Sequence, residues 1–227
     1  HFSIWSLINN SRTESVEKIL ITASGGPFRK YPLNRFKFIT KKMALNHPNW
    51  KMGKKISIDS ATMMNKVFEI IEAQKIFNIS YKQLEIIVHP ESYLHALVKF
   101  NNGLIKLLFH DTNMKIPIFN SLYLNSKKKI KSEKLNLKKL KNLNLKYIDK
   151  KRFPVVNILN KLRDEDTLFE TIIVSANDNL VNLFLKGRIK FADISKILIY
   201  ILNMSEFNKY KKISPKNIGD IIKLSNY

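Results

Sequence analysis

The chain has 227 residues, 44% hydrophobic and 26% charged, which suits a globular protein with one large core or two ordinary ones. Its apolar runs, such as residues 197–202, are too short to span a bilayer, and no charged segment leads into an apolar stretch with a small-residue cleavage site. The absence of cysteine excludes disulfides, thiolate metal sites and a cysteine nucleophile, and fits a reducing compartment.

The formal charge of +22 invites a nucleic-acid partner, because clustered Lys and Arg release counterions at phosphates. Here the basic residues are scattered and lack the aromatic interleaving used in base stacking. Compositional drift toward Lys, Asn and Ile is the preferred reading, and a basic nucleic-acid-binding module the alternative.

Residues 16–22 read as a buried strand running into the glycine-rich turn Ser24-Gly25-Gly26-Pro27. After a polar segment, residues 47–55 carry proline, glycine and no period, and read as a loop that includes Trp50 and Met52. Ile56-Ser57-Ile58 is expected to be a short strand, with Asp59 or Ser60 capping the helix that follows. From Ala61 to about Asn78, Met63, Val67, Ile70, Ile71 and Phe77 recur at helical spacing. Residues 84–88 read as a strand, and residues 94–100 and 104–109 as a hairpin around Asn101-Asn102-Gly103.

Lysine dominates residues 126–144, which suggests a solvated linker or an extended crossing segment. Residues 155–162, 166–186 and 189–203 show helical spacing with Gly187 as a stop, and residues 214–227 could add a short helix. The expected fold is an α/β (α+β) catalytic domain with a mixed sheet over 1–125, the linker 126–144, and a small all-α domain over 145–227.

The chemistry concentrates at residues 60–69. Asn65 and Glu69 are spaced i,i+4 and Lys66 and Glu69 i,i+3, so the three share a helical face. With Ser60 at the expected helix start, hydroxyl, amide and ammonium would suit a phosphate, and Glu69 would offer a hard oxygen ligand to a divalent cation. The plainer reading is a surface ion pair worth a few tenths of a kcal/mol beside an ordinary cap. One glutamate is also too few ligands for a metal. Ser24 at its turn and His47 in its loop carry the same ambiguity. Spacing leaves both readings open.

A longer pattern bears on them. Ala23-Ser24-Gly25-Gly26-Pro27-Phe28-Arg29, His47-Pro48-Asn49-Trp50-Lys51-Met52-Gly53 and Lys55-Ile56-Ser57-Ile58-Asp59-Ser60-Ala61-Thr62-Met63-Met64-Asn65-Lys66, with Glu69 after them, resemble 1-deoxy-D-xylulose 5-phosphate reductoisomerases. The likeness continues through Val88-His89-Pro90-Glu91-Ser92, His95 and Asn102-Gly103. It returns faintly at Ser175-Ala176-Asn177-Asp178. The resemblance implies an NADPH-dependent, homodimeric oxidoreductase that rearranges and reduces a phosphorylated ketose using Mg²⁺, Mn²⁺ or Co²⁺. No nucleic acid or membrane is among the expected partners, and the compartment would be a bacterial cytoplasm or a plastid-type stroma.

The resemblance assigns Ser24, Ser60, Asn65 and Lys66 to the substrate phosphate and neighbouring oxygens, and His47 to substrate on a mobile loop. Trp50 and Met52 would belong to that lid, Gly53 would contact the nicotinamide, and Glu69 would bind metal and substrate. Val67-Phe68 departs from the family's usual glycine and leucine. In the family, an Asp-Ser-Glu triplet and a dinucleotide-binding domain precede the position of His1, so a fragment, inactive alone, is expected.

Overall fold

A computed structural model of the chain describes residues 1–9, 13–50, 52–124, 127–141 and 143–226. Lys51 of the loop motif, the expected boundary at 125/126, Asn142 and the terminal Tyr227 lie outside them. In chain order the elements are α1 (Phe2–Ile8), β1 (Val16–Ala23), α2 (Lys41–Leu45), α3 (Lys54–Thr62), α4 (Met64–Phe77), β2 (Leu84–Val88), β3 (Leu94–Phe100) and β4 (Ile105–Phe109). They continue with α5 (Lys115–Leu122), α6 (Leu137–Lys141), β5 (Lys146–Tyr147), α7 (Phe169–Leu185), α8 (Phe191–Ile201), α9 (Ser205–Asn208) and α10 (Ile218–Ser225).

The five strands form one mixed sheet in the order β4-β3-β1-β2-β5. Among the described residues only β1 and β2 run parallel, with Ala23 opposite Val88 at their carboxyl ends. A parallel pair needs a long crossover, and residues 24–83 supply it. β3 alternates strictly between buried and half-buried positions, the period-2 signature of a strand with one face in the core. At the hairpin, Gly103 takes φ +86, where a side chain would be strained.

Contacts divide the chain into two units, each drawn from two stretches of sequence. His1–Gly25 with Glu72–Ile148 hold the sheet. Gly26–Ile71 with Asp149–Tyr227 hold α2, α3, the start of α4 and α7–α10. The grouping therefore cuts across the expected linear division. β5 falls just inside the portion expected to be helical, pairing with β2; every described element after it is helical.

The lysine-rich segment is more tied down than a solvated linker. Glu133 donates its backbone N–H to Asp111 Oδ2 at 2.8 Å, Lys139 pairs with Glu133 at 3.0 Å, and Asn144 donates to Glu91 at 3.1 Å. Asp111, Glu133 and Lys139 line an open polar cleft of about 500 Å³ that contains none of the expected site residues.

In the second unit an aromatic cluster forms the core. Phe28 and Phe191 meet edge to face at 4.9 Å, with Phe184 beside Phe191. Arg152 donates to the carbonyls of Phe28 and Tyr31 and lies over the Phe36 ring, fixing the start of the segment that leads to α2.

Residues 56–58 are not a strand. They lie inside α3, which Gly53 opens by accepting the N–H of Ser57 at 3.1 Å and its hydroxyl at 2.9 Å. Three alternating residues fit one helical turn as well as a strand, and Ile58, Ala61 and Thr62 supply the buried i, i+3, i+4 set. Asp59 and Ser60 are consequently not caps: they sit in the second half of α3. The break comes at Met63, a buried residue in the left-handed region with φ +72. A non-glycine residue there costs about 1–3 kcal/mol and persists only when its surroundings fix it. Gly187 ends α7 with φ +77, as the sequence suggests.

Gly26 is held both by conformation, with φ +62, and by contact: a Cβ would stand 2.8 Å from the Ser60 carbonyl oxygen. Gly26→Ala is therefore expected to destabilise the chain by about 2–4 kcal/mol, combining backbone strain and overpacking. Urea denaturation at equilibrium measures this, and a loss below about 1 kcal/mol would show that the α3 backbone can yield.

Candidate functional site

α3 and α4 form an elbow around Met63, with Ser60 in the last turn of one helix and Asn65 and Lys66 in the first turn of the other. Thr62 stitches the corner: its hydroxyl donates to the Asp59 carbonyl at 3.1 Å and accepts the Met64 N–H at 3.3 Å. Ser60 therefore lies near a helix C-terminus, and the expected attraction of its helix start for an anion does not apply to it. The amino-terminal turn that can favour an anion belongs to α4 and carries Asn65 and Lys66.

The expected helical face is present. Asn65 Nδ2 donates to Glu69 Oε1 at 2.7 Å, and Lys66 Nζ reaches Glu69 Oε1 at 2.8 Å and Oε2 at 2.7 Å. All three side chains are half-buried. The ammonium thus neutralises the carboxylate across both oxygens while keeping donor capacity on the same face.

His47 and Trp50 are half-buried in the loop before α3, and Met52 is half-buried beside the exposed Gly53. His47 Nδ1 accepts the backbone N–H groups of Asn49 at 3.1 Å and Trp50 at 3.0 Å. Nδ1 must keep its lone pair to do so, which places the ring proton on Nε2. Burial, and then the positive charge of Lys66, hold the His47 pKa below its ordinary 6.5. Gly53 has an unstrained backbone, and a Cβ there would meet nothing within 4 Å. The chain's own fold does not require a glycine at 53.

Ser24 belongs to the sheet-bearing unit. It is half-buried immediately beyond the carboxyl end of β1, the side of an open α/β sheet where ligands commonly bind. Next to it the His89 N–H donates to the Ala23 carbonyl at 2.7 Å.

Asp59, expected only as a possible cap, belongs instead to a charged cluster that adjoins Ser60 in sequence. Asp59, 2% exposed, accepts from Asn177 Nδ2 of α7 at 2.8 Å and pairs with Lys55 Nζ at 3.1 Å; Lys55 also pairs with Asp178 at 2.8 Å. Burial pushes the Asp59 carboxyl above its usual range, opposed by Asn177 and Lys55. The i,i+4 spacing of Lys55 and Asp59 was a usable signal only once this segment is taken as helical.

A divalent cation is not accommodated by these residues alone. Among the described residues no three His, Cys, Asp or Glu side chains gather, and the Glu69 carboxylate is already engaged by Lys66.

Residues 1–77 match the family described as 1-deoxy-D-xylulose 5-phosphate reductoisomerase C-terminal domain, and residues 110–226 match the DXP reductoisomerase C-terminal domain. The chain belongs to the 1-deoxy-D-xylulose 5-phosphate reductoisomerase family. It is 66% identical over its whole length to the reductoisomerase of Pelagibacter ubique, and 42% identical over 98% of its length to that of Persephonella marina. It spans 58% of each. The reductoisomerase of Zymomonas mobilis, solved with NADPH, superposes over the whole chain with a TM-score of 0.87 at 33% identity, the chain covering 57% of it. A DOX-P reductoisomerase solved with NADPH, fosmidomycin and magnesium gives 0.88 at 28% identity, with 59% covered. The mixed sheet followed by a helical portion is thus the fold of the reductoisomerase C-terminal region.

Because the His47 pKa is lowered on folding, the unfolded chain takes up its proton first, so stability falls as pH drops through 6.5 toward the folded value. An NMR titration of the His47 ring is expected to give a midpoint below 6.5, and Lys66→Met should move it upward. A wild-type midpoint at or above 6.5 would contradict the effects of burial and of Lys66 described here.

Proposed function

We propose that this chain is the substrate-binding part of an enzyme converting 1-deoxy-D-xylulose 5-phosphate to 2-C-methyl-D-erythritol 4-phosphate with NADPH. The observation that carries the reading is the match of residues 1–77, which hold Ser24, His47 and Ser60 to Glu69, to the reductoisomerase family, with Asn65, Lys66 and Glu69 bonded on one face at 2.7–2.8 Å. Family membership and 66% identity to a reductoisomerase support it. The basic nucleic-acid alternative has no such support.

In this reading Ser24, Ser60, Asn65 and Lys66 bind the phosphate and adjacent oxygens, supplying positioning energy away from the reacting carbons. An arriving phosphate competes with Glu69 for the Lys66 ammonium, which releases carboxylate oxygens toward the sugar. His47 presents its Nε2–H as a neutral donor, while Trp50 and Met52 close over the substrate and exclude water. Gly53 leaves room for the nicotinamide, which accounts for a glycine where the fold alone needs none. Glu69 is one carboxylate of a Mg²⁺, Mn²⁺ or Co²⁺ site whose other ligands lie in the part of the relatives that this chain does not span. When bound, the cofactor supplies hydride and the metal polarises the ketose oxygens.

The catalytic role of 1–125, the linker 126–144 and the helical domain 145–227 belong to the same proposal. So does a location in a bacterial cytoplasm or a plastid-type stroma; among the described residues no helix is long and apolar enough to cross a membrane. A homodimer is supported by the apolar side chains that the sheet-bearing unit leaves exposed on edge strand β4 and on α5, among them Ile105, Leu107, Ile118 and Leu122. Analytical ultracentrifugation should find a dimer that Leu107→Lys with Ile118→Lys converts to monomer; a monomeric wild-type chain removes this part of the reading.

NADPH oxidation with the ketose phosphate should be undetectable for the chain alone and appear when the portion of the Pelagibacter relative that this chain does not span is fused before it. A silent, well-folded chimera would refute the assignment. In that chimera Gly53→Ala should raise KM for NADPH about tenfold, a loss of roughly 1.4 kcal/mol, with the melting temperature unchanged.

A further inference from the structure

Met63 holds a left-handed conformation that nothing in its own side chain favours, at the one point where the orientation of Ser60 relative to Asn65 and Lys66 is decided. A strained elbow of this kind must be fixed by its surroundings. The fixing groups converge from three helices. Asp59 of α3 takes the Asn177 amide of α7 on Oδ1 and the Lys55 ammonium on Oδ2. Lys55 in turn reaches Asp178 of α7 at 2.8 Å and stands 5.0 Å over the Phe68 ring of α4. One ammonium thereby touches all three helices that meet at the corner. Asn177 is fully buried, so its hydrogen bond to Asp59 has no competing water.

We propose that Lys55, Asp59, Asn177 and Asp178 are positioning residues that hold the Met63 elbow, so that Ser60 and the Asn65–Lys66 pair take the same phosphate; this rests on the phosphate reading above. None of the four needs to touch substrate. Phe68 gives Lys55 an aromatic seat on α4. The contribution of the cluster is one of angle: Asp59 immediately precedes Ser60, and a pull on its carboxylate turns the last turn of α3.

The test uses the active chimera. Lys55 is half-exposed, so Lys55→Met leaves the core filled and the chain folded. It is expected to raise KM for the ketose phosphate about tenfold, in line with what a misplaced positioning group costs, with kcat and the KM for NADPH within about twofold. Asn177→Asp should lose more, since it sets a second carboxylate against Asp59, and adding Asp59→Asn should restore most of the loss by re-forming an amide–carboxylate pair. For the chain alone, inorganic phosphate followed by thermal shift should bind about tenfold more weakly after Lys55→Met.

Unchanged KM with a lowered melting temperature, or a swap that restores nothing, would show a merely structural cluster and overturn the proposal. Ser60→Ala separates the two levels of inference. If it leaves KM for the ketose phosphate unchanged, the phosphate reading fails and takes the proposal with it. If Ser60→Ala raises KM and Lys55→Met does not, the positioning role alone is wrong.

Discussion

Asp59 is a carboxylate with almost no access to water, and the corner between α3 and α4 depends on keeping it satisfied. A buried charge is tolerated only when paired and hydrogen-bonded. Asp59 meets that condition with one neutral donor from α7 and one cation from its own helix. Removing either partner leaves the other interaction to bear the whole desolvation cost. Ser60, next in sequence, and Gly26, whose backbone presses against the Ser60 carbonyl, take their places from the same helix turn. Gly26 and the Thr62 stitch of the elbow thus both meet the backbone of the helix turn that carries Asp59.

Much of the fold could be read before the structure. β3 and β4 declared themselves as runs flanking the turn signal Asn101-Asn102-Gly103, and α7 and α8 by their periodic apolar residues with Gly187 between them. The errors cluster at the site. Ile56-Ser57-Ile58 was ambiguous because three residues do not distinguish a period of 2 from one of 3.6, and that misreading moved the helix start to Ser60. Nothing about methionine signals a positive φ at Met63, since the conformation is imposed by neighbours distant in sequence.

The site itself was half legible. Spacing correctly placed Asn65, Lys66 and Glu69 on one face, and the observed ion pair is equally what a surface salt bridge would give. The family motifs, rather than geometry, separate the two readings. Asn177 was invisible as a partner because its contact spans 118 positions and leaves no local pattern. The two glycines were also indistinguishable in sequence, yet Gly26 is demanded by the chain's own packing and Gly53 is not.

The interleaving of the two units has a consequence for how the protein comes into being. Synthesis delivers the corner between α3 and α4 more than a hundred residues before Asn177, so the nascent elbow emerges with Asp59 still hydrated and Met63 free to relax to an ordinary backbone. The corner can close only after α7 leaves the ribosome, and loop closure over that span makes it a late event in folding. A chain truncated before α7 would keep every substrate-contacting residue proposed here and still lack the geometry that makes them a site.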